Sequence, residues 1–207
     1  VLEFIEHFGG QLSPELLTAT DHYQSATLLH VLIQRSFFRA ASEVFHHLGS
    51  QPDSSDKRRL LVLQDVNGLS VLHSIFSHEN IGFASNFIAR WSQLIKAEAL
   101  EAEDGGGETP LHKLFDKEPA PAVKRLIYQC LETLARHFHS GVLSKKRLSD
   151  GNTALHLLFA KADPALTKML LDNCYLQLDR EVVFTSNEAG ESILQILLRN
   201  STPATAV

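Results

Sequence analysis

Apolar residues recur along the chain in fixed pairs. One set stands at Leu32-Ile33, Ile75-Phe76, Leu114-Phe115, Leu158-Phe159 and Leu197-Leu198, and a second at Val44-Phe45, Phe87-Ile88, Leu126-Ile127 and Leu170-Leu171. Ahead of each first pair a Thr or Ser opens a tetrapeptide. The copies are Thr27-Leu28-Leu29-His30, Ser70-Val71-Leu72-His73, Thr109-Pro110-Leu111-His112, Thr153-Ala154-Leu155-His156 and Ser192-Ile193-Leu194-Gln195, the last with its His replaced. With that Thr or Ser as position zero, the second pairs fall at +17 and +18. Position +14 holds Ala41, Ala84, Val123 and Thr167, and +21 holds Leu48, Trp91, Cys130 and Cys174. Steps of three and four residues describe an amphipathic helix with one buried stripe.

The residues before the anchor predict how each unit begins. Gly68, Gly107, Gly151 and Gly190 stand at −2, with Ser25 the exception. Asp65, Asp104 and Asn187 stand at −5, where the first and fourth copies depart with His22 and Leu148. Gly beside Asp or Asn marks a tight turn, because Gly accepts positive φ and short polar side chains bond the local backbone. The Thr or Ser then supplies an oxygen to the free N–H groups of a helix start. Pro121 and Pro164 mark the start of the second helix, where a missing N–H costs little. Each unit reads as turn, short helix, turn, longer helix, so the chain is an all-α array of stacked copies. The expected divisions are a half unit over about 1–20, full units over about 21–64, 65–103, 104–147 and 148–186, and a half unit over about 187–207.

The pattern D-x-x-G-x-[ST]-x-L-H opening a helix pair resembles the ankyrin repeat. The nearest match is Asp104-Gly105-Gly106-Gly107-Glu108-Thr109-Pro110-Leu111-His112. The resemblance spans Ala26 to Leu198 and implies an ankyrin-repeat solenoid that recognises a partner protein. Anchors at 27, 70, 109, 153 and 192 are 43, 39, 44 and 39 residues apart, longer than that family's period of about 33. The surplus lies after +21, in longer second helices or finger loops over 50–66, 96–106, 140–150 and 179–189. Leu-Phe and Ile-Phe pairs stand where the family prefers alanines, which should spread the helices or alter the curvature of the stack. Loop-expanded arrays of this kind are similar to those in effectors that intracellular bacteria deliver into host cells.

Composition narrows the function further. At 207 residues, 44% hydrophobic and 21% charged, the chain has the make-up of a folded globular protein. A net charge of −5 offers no footprint for nucleic acid. Its apolar runs are far short of the ~20 residues that span a membrane. Two cysteines make no disulfide framework, so a cytoplasmic setting is expected, the host cytoplasm for a secreted effector. Val1 to Gly9 reads as the end of a second helix, and Asn200-Ser201-Thr202-Pro203 as a helix stop. Uncapped Phe4, Ile5 and Phe8 suggest an array cut from a longer polypeptide.

No catalytic, cofactor or metal site is expected. Of the eleven histidines, His30, His73, His112 and His156 belong to the tetrapeptide, and their spacing by whole repeats keeps them from one zinc ion. His46-His47 and His137-Phe138-His139 fall at the ends of second helices, where a cation suits the dipole. Cys130 and Cys174 occupy the apolar stripe and read as small buried hydrophobes. The basic runs Lys57-Arg58-Arg59 and Lys145-Lys146-Arg147 read as solvated loop tips.

In ankyrin-like stacks the concave face is formed by turn tips and first-helix ends. Carried over by register, the candidate partner-binding residues are Tyr23, Gln24, Gln34, Arg35, Asn67, Leu69, Ser77, His78, Glu108, Asp116, Lys117, Asp150, Asn152, Lys161 and Glu191. An aromatic and an Arg on the first two units have the composition of interface anchors. The acidic positions further along would steer a basic partner. The expected function is protein–protein recognition by a monomer that targets or scaffolds a larger protein. The alternative is a regulatory or substrate-docking domain of an enzyme whose catalytic domain lies outside this chain.

Overall fold

The computed structural model describes residues 13–50 and 55–201. The readings of Val1–Gly9 and of Pro203 therefore lie outside the described residues. Among the described residues the regular structure is entirely helical, and the helices fall into three sets. The anchors open the first set: α2 Leu28–Gln34, α5 Val71–Ser77, α8 Pro110–Asp116, α11 Ala154–Ala160 and α14 Ile193–Ser201. The +14 to +21 stripes form the second: α3 Phe38–Ser50, α6 Ile81–Trp91, α9 Pro121–Leu134 and α12 Pro164–Cys174. Pro121 and Pro164 are the first residues of α9 and α12, where no N–H is missed.

The third set was not expected. The segments read as finger loops each begin with a short helix: α4 Ser55–Val62, α7 Ala97–Glu101, α10 Ser140–Leu143 and α13 Arg180–Phe184. Helix α1, Pro14–Thr18, stands in the same place before the first anchor. The physical cause is a further set of buried apolar residues: Leu17; Leu60 and Leu61; Ala99 and Leu100; Val142 and Leu143; and Val182. Nine to eleven residues before the next anchor, they give each repeat a third amphipathic element. His139 takes part in this layer as well: its Nδ1 accepts from the N–H of Gly141 at 3.2 Å and caps α10.

The chain divides into two compact units, Val1–Gly105 and Gly106–Val207. In the first, α2 packs on α3 and α5, α5 on α6, and α1 and α7 on α4. Its second helices meet through aromatic rings, Phe45 against Phe87 at 4.8 Å and Phe38 against Phe83 at 4.8 Å. In the second unit α11 packs between α8 and α14, α9 packs on α12, and α10 on α13. Like elements stack on like in both units. The expected stripe is buried along α6, α9 and α12 at Phe87, Ile88, Leu126, Ile127, Cys130, Leu170 and Cys174.

The turns before the anchors come in two lengths. Asp65 N–H donates to the Leu69 carbonyl and Asn187 N–H to that of Glu191, closing five-residue turns. Asp21 N–H bonds the Ala26 carbonyl and Arg147 N–H that of Asn152, closing six-residue turns. The added residue explains the departures at −5: in the first turn the polar starter is Asp21, one place earlier, and its carboxylate accepts from Tyr23 N–H at 3.0 Å. Adjacent turns are tied by one backbone bond each. Val66 N–H donates to Gln24 O (2.7 Å) and Gly105 N–H to Asn67 O (2.9 Å) in the first unit. Leu148 N–H donates to Gly106 O (2.8 Å) and Glu188 N–H to Asp150 O (3.0 Å) in the second.

Position −2 is left-handed in all five turns. Gly68, Gly107, Gly151 and Gly190 have φ between 69° and 76°, and Ser25 has φ 50°. A non-glycine residue in this region carries a strain of roughly 1 kcal/mol. Ser25→Gly removes it, although glycine gives back part of the gain through a more disordered unfolded chain. Its melting temperature is expected to rise by about 1–2 °C, for about 0.5 kcal/mol, in thermal denaturation followed by circular dichroism.

Candidate interaction surface

The tetrapeptide histidines are the polar frame on which any surface is mounted. Each Thr or Ser anchor is an N-cap in extended conformation, and the N–H at its own position donates to the Nδ1 of the His three residues on. The distances are 3.2 Å for Thr27–His30, 3.0 Å for Ser70–His73, 3.0 Å for Thr109–His112 and 3.1 Å for Thr153–His156. An amide can only donate, so Nδ1 accepts and the proton of the neutral ring is on Nε2. In three of the four, that Nε2–H bonds the next repeat. His30 donates to Leu69 O at 2.9 Å, His112 to Asn152 O at 3.1 Å and His156 to Glu191 O at 3.0 Å. This is a capping box with imidazole in the role usually held by Glu or Gln. In the fifth copy Gln195 itself takes that role, its Oε1 accepting from Ser192 N–H at 2.7 Å.

Burial is the main cause that lowers the pKa of His30 and His156 below the ordinary 6.5, opposed by the carbonyl each ring bonds. Both rings are held neutral. The cysteines are buried too: burial alone pushes Cys130 well above its usual range and Cys174 up to about 12. At neutral pH neither offers the thiolate that nucleophilic chemistry needs. Among the described residues no group of three or more His, Cys, Asp or Glu side chains is placed to hold a metal ion.

The partner-binding candidates all escape full burial, but the two units use them differently. In the first, Tyr23 is 94% exposed, and Gln24, Arg35 and Asn67 are exposed with no side-chain hydrogen bond or ion pair among the described residues. The Val66–Gln24 bond sets the first two turn tips side by side, so Tyr23, Gln24, Val66 and Asn67 form one exposed strip. Other candidates there are engaged. Gln34 Nε2 reaches Asp65 Oδ2 at 3.5 Å, and half-buried Leu69 receives the bond from His30 on its carbonyl. The exposed Ser77 hydroxyl lies 3.3 Å from the Ser74 carbonyl. His78 accepts from Asn80 N–H on Nδ1 (3.0 Å), which leaves Nε2 to donate to Ser36 Oγ (3.1 Å), and stands edge-on to Phe38.

In the second unit the charged candidates answer one another. Arg147 lies only 17% exposed and grips Asp150 with two bonds, Nε–Oδ1 2.8 Å and NH2–Oδ2 2.6 Å. The same guanidinium lies 3.5 Å from Glu108 and 3.6 Å from Asp116. Lys113 pairs with Glu108 as well, and Arg199 with Glu191. The Arg147 hydrogen bonds hold Asp150 at about 2, below the usual carboxylate range. Asn152 Oδ1 accepts from Asn187 Nδ2 at 2.8 Å, and Lys161 Nζ donates to the Asp116 carbonyl at 2.9 Å. Lys117 is half-buried beside this network.

Arg147 is thus the hub of an ion-pair cluster, and Lys146 beside it donates to the Ser186 carbonyl at 2.6 Å. The expectation of a solvated basic tip at Lys145-Lys146-Arg147 is corrected at Arg147, whereas Lys146 is exposed. Sequence reading missed the hub because its partners Glu108 and Asp116 lie 39 and 31 residues away. Arg58 and Arg59 belong to helix α4 and not to a loop. No helix among the described residues is long and apolar enough to cross a membrane. No protein family's sequence profile matches the chain, and no curated protein sequence matches it.

Proposed function

We propose that the chain is a protein-recognition module of ankyrin-repeat-like architecture, binding through the turn tips and first-helix ends of its first unit. The observation that carries this reading is a division of labour among polar side chains. The anchor, His and Gly positions, and the charged candidates of the second unit, are taken up by bonds within the array. Tyr23, Gln24, Arg35 and Asn67 are exposed and take no such part. An aromatic and an arginine with amide neighbours are the side chains that interface anchors favour. The turn tips bring Tyr23, Gln24 and Asn67 together on backbone already fixed by hydrogen bonds, and Arg35 caps the end of α2, so little backbone entropy is lost when a partner binds. This reading puts the protein in a reducing cytoplasm, which the unbridged Cys130 and Cys174 suit.

The test is affinity capture from lysate with the full chain and with a Tyr23→Ala/Arg35→Ala/Asn67→Ala variant, each checked for folding by circular dichroism. The variant should melt within a degree or two of the parent, since none of the three side chains takes part in the frame. A partner captured by the parent is expected to bind it at least thirtyfold more weakly, about 2 kcal/mol. A partner held equally well by both proteins would remove the first-unit face from consideration.

A further inference from the structure

The added third helices create a second surface in the first unit. Arg58, Arg59 and Val62 of α4 meet Leu94, Lys96, Glu98 and Ala99 around an open cavity of about 250 Å³. On α4, Val62 follows Arg58 by four residues and Arg59 by three, so all three share one helix face. The floor is apolar, from Val62, Leu94 and Ala99, while the rim sets three cations against one carboxylate. Arg59 and Lys96 have no ion-pair partner among the described residues, in contrast to the neutralised charges of the second unit. We propose that this cavity docks an acidic segment of a partner protein, seating an aliphatic side chain on the floor with its flanking carboxylates on Arg59 and Lys96.

Charge and shape select this occupant. Guanidinium favours carboxylate through paired N–H donors, and the apolar floor adds a contribution that a purely polar anion could not use. A concave floor takes a projecting side chain, whereas the plane of a lipid bilayer would meet the cationic rim and leave the floor empty. The surface is built from α4, α7 and the segment joining α6 to α7. It shares no residue with the turn-tip strip, and it stands or falls independently of the function proposed above.

The test is a fluorescence-anisotropy titration of the whole chain with a fluorescein-labelled peptide of alternating glutamate and leucine. Saturable binding is expected, weakened at least tenfold in Arg59→Glu/Lys96→Glu and at least threefold in Val62→Ser. Arg59→Gln/Lys96→Gln keeps helix-compatible side chains and guards against misfolding of the charge reversal, with a threefold or greater loss expected. Tyr23→Ala/Arg35→Ala/Asn67→Ala should leave this titration unchanged. Equal binding of a glutamate-only peptide would overturn the role of the floor, and equal affinity in the charge variants that of the rim. Phosphatidylserine vesicles bound in an Arg59-dependent way, without saturable peptide binding, would replace the proposal with a lipid site.

Discussion

Gly151→Ala is expected to lower stability by about 3 kcal/mol, while the register-equivalent Gly190→Ala costs about 1 kcal/mol. Both glycines are left-handed, with φ 69° and 76°, so each alanine meets the same backbone strain. Their surroundings differ. A Cβ on Gly151 would stand 2.8 Å from the Glu188 nitrogen and 3.0 Å from its Cγ, and one on Gly190 meets nothing within 4 Å. Glu188 N–H is the donor that ties this turn to the next through the Asp150 carbonyl. Moving it away gives up that bond, worth about 1 kcal/mol net, and displaces packed backbone as well. Urea denaturation of the two variants checks the contrast. Equal losses would mean that the close approach of the turns contributes nothing and that only φ matters.

His156→Ala is expected to cost about 3 kcal/mol, and His156→Gln about 1 kcal/mol. The ring is 1% exposed, so alanine leaves a cavity and an uncapped Thr153 amide, and the Glu191 carbonyl loses one of its two hydrogen bonds while keeping that from Asn187 N–H. Glutamine can restore the first amide contact, as Gln195 does for Ser192, and loses chiefly the reach to the following repeat. The same residue predicts a pH response. With its folded pKa lowered from 6.5, the unfolded chain binds more protons than the folded one just below that value. Stability from His156 and His30 is therefore complete above about pH 6.5 and falls as the pH drops through the lowered folded values. Melting temperatures measured from pH 7.5 to 5 should decline in the parent and decline less steeply in His156→Gln. Parallel curves would show that His156 does not sense the proton.

The two-helix unit was legible because its signals have a constant distance from the anchor. Leu170 and Phe87 stand at +17, and Gly107 and Gly190 at −2, whatever lies between the anchors. The third helix escaped notice because its residues keep register with the following anchor. Leu60 and Leu61 stand 10 and 9 residues before Ser70, just as Ala99 and Leu100 do before Thr109. Counted forward they fall at +33 and +34 in one repeat and at +29 and +30 in the next, and the period dissolves. Leu17 and Leu143 fall 10 residues before Thr27 and Thr153, but with the six-residue turn their pairs shift one place earlier. At the surface, register placed Tyr23 and Glu108 in equivalent regions but could not tell a free tip from an ion-paired one. Glu108 meets Arg147 across 39 residues, a distance over which charge pattern alone assigns no partner.

The bonds that His30, His112 and His156 make to the neighbouring repeat end on backbone carbonyls, at Leu69, Asn152 and Glu191. A main-chain acceptor is present whichever amino acid occupies the position, so the coupling of one repeat to the next asks nothing of the side chain there. An aliphatic, an amide and a carboxylate have each settled at that place without altering the joint. At these three joints the residue that offers the carbonyl can change without a matching change in the histidine that bonds it. The surface at those places is thus free to diversify by single substitutions, while the bond beneath it is kept.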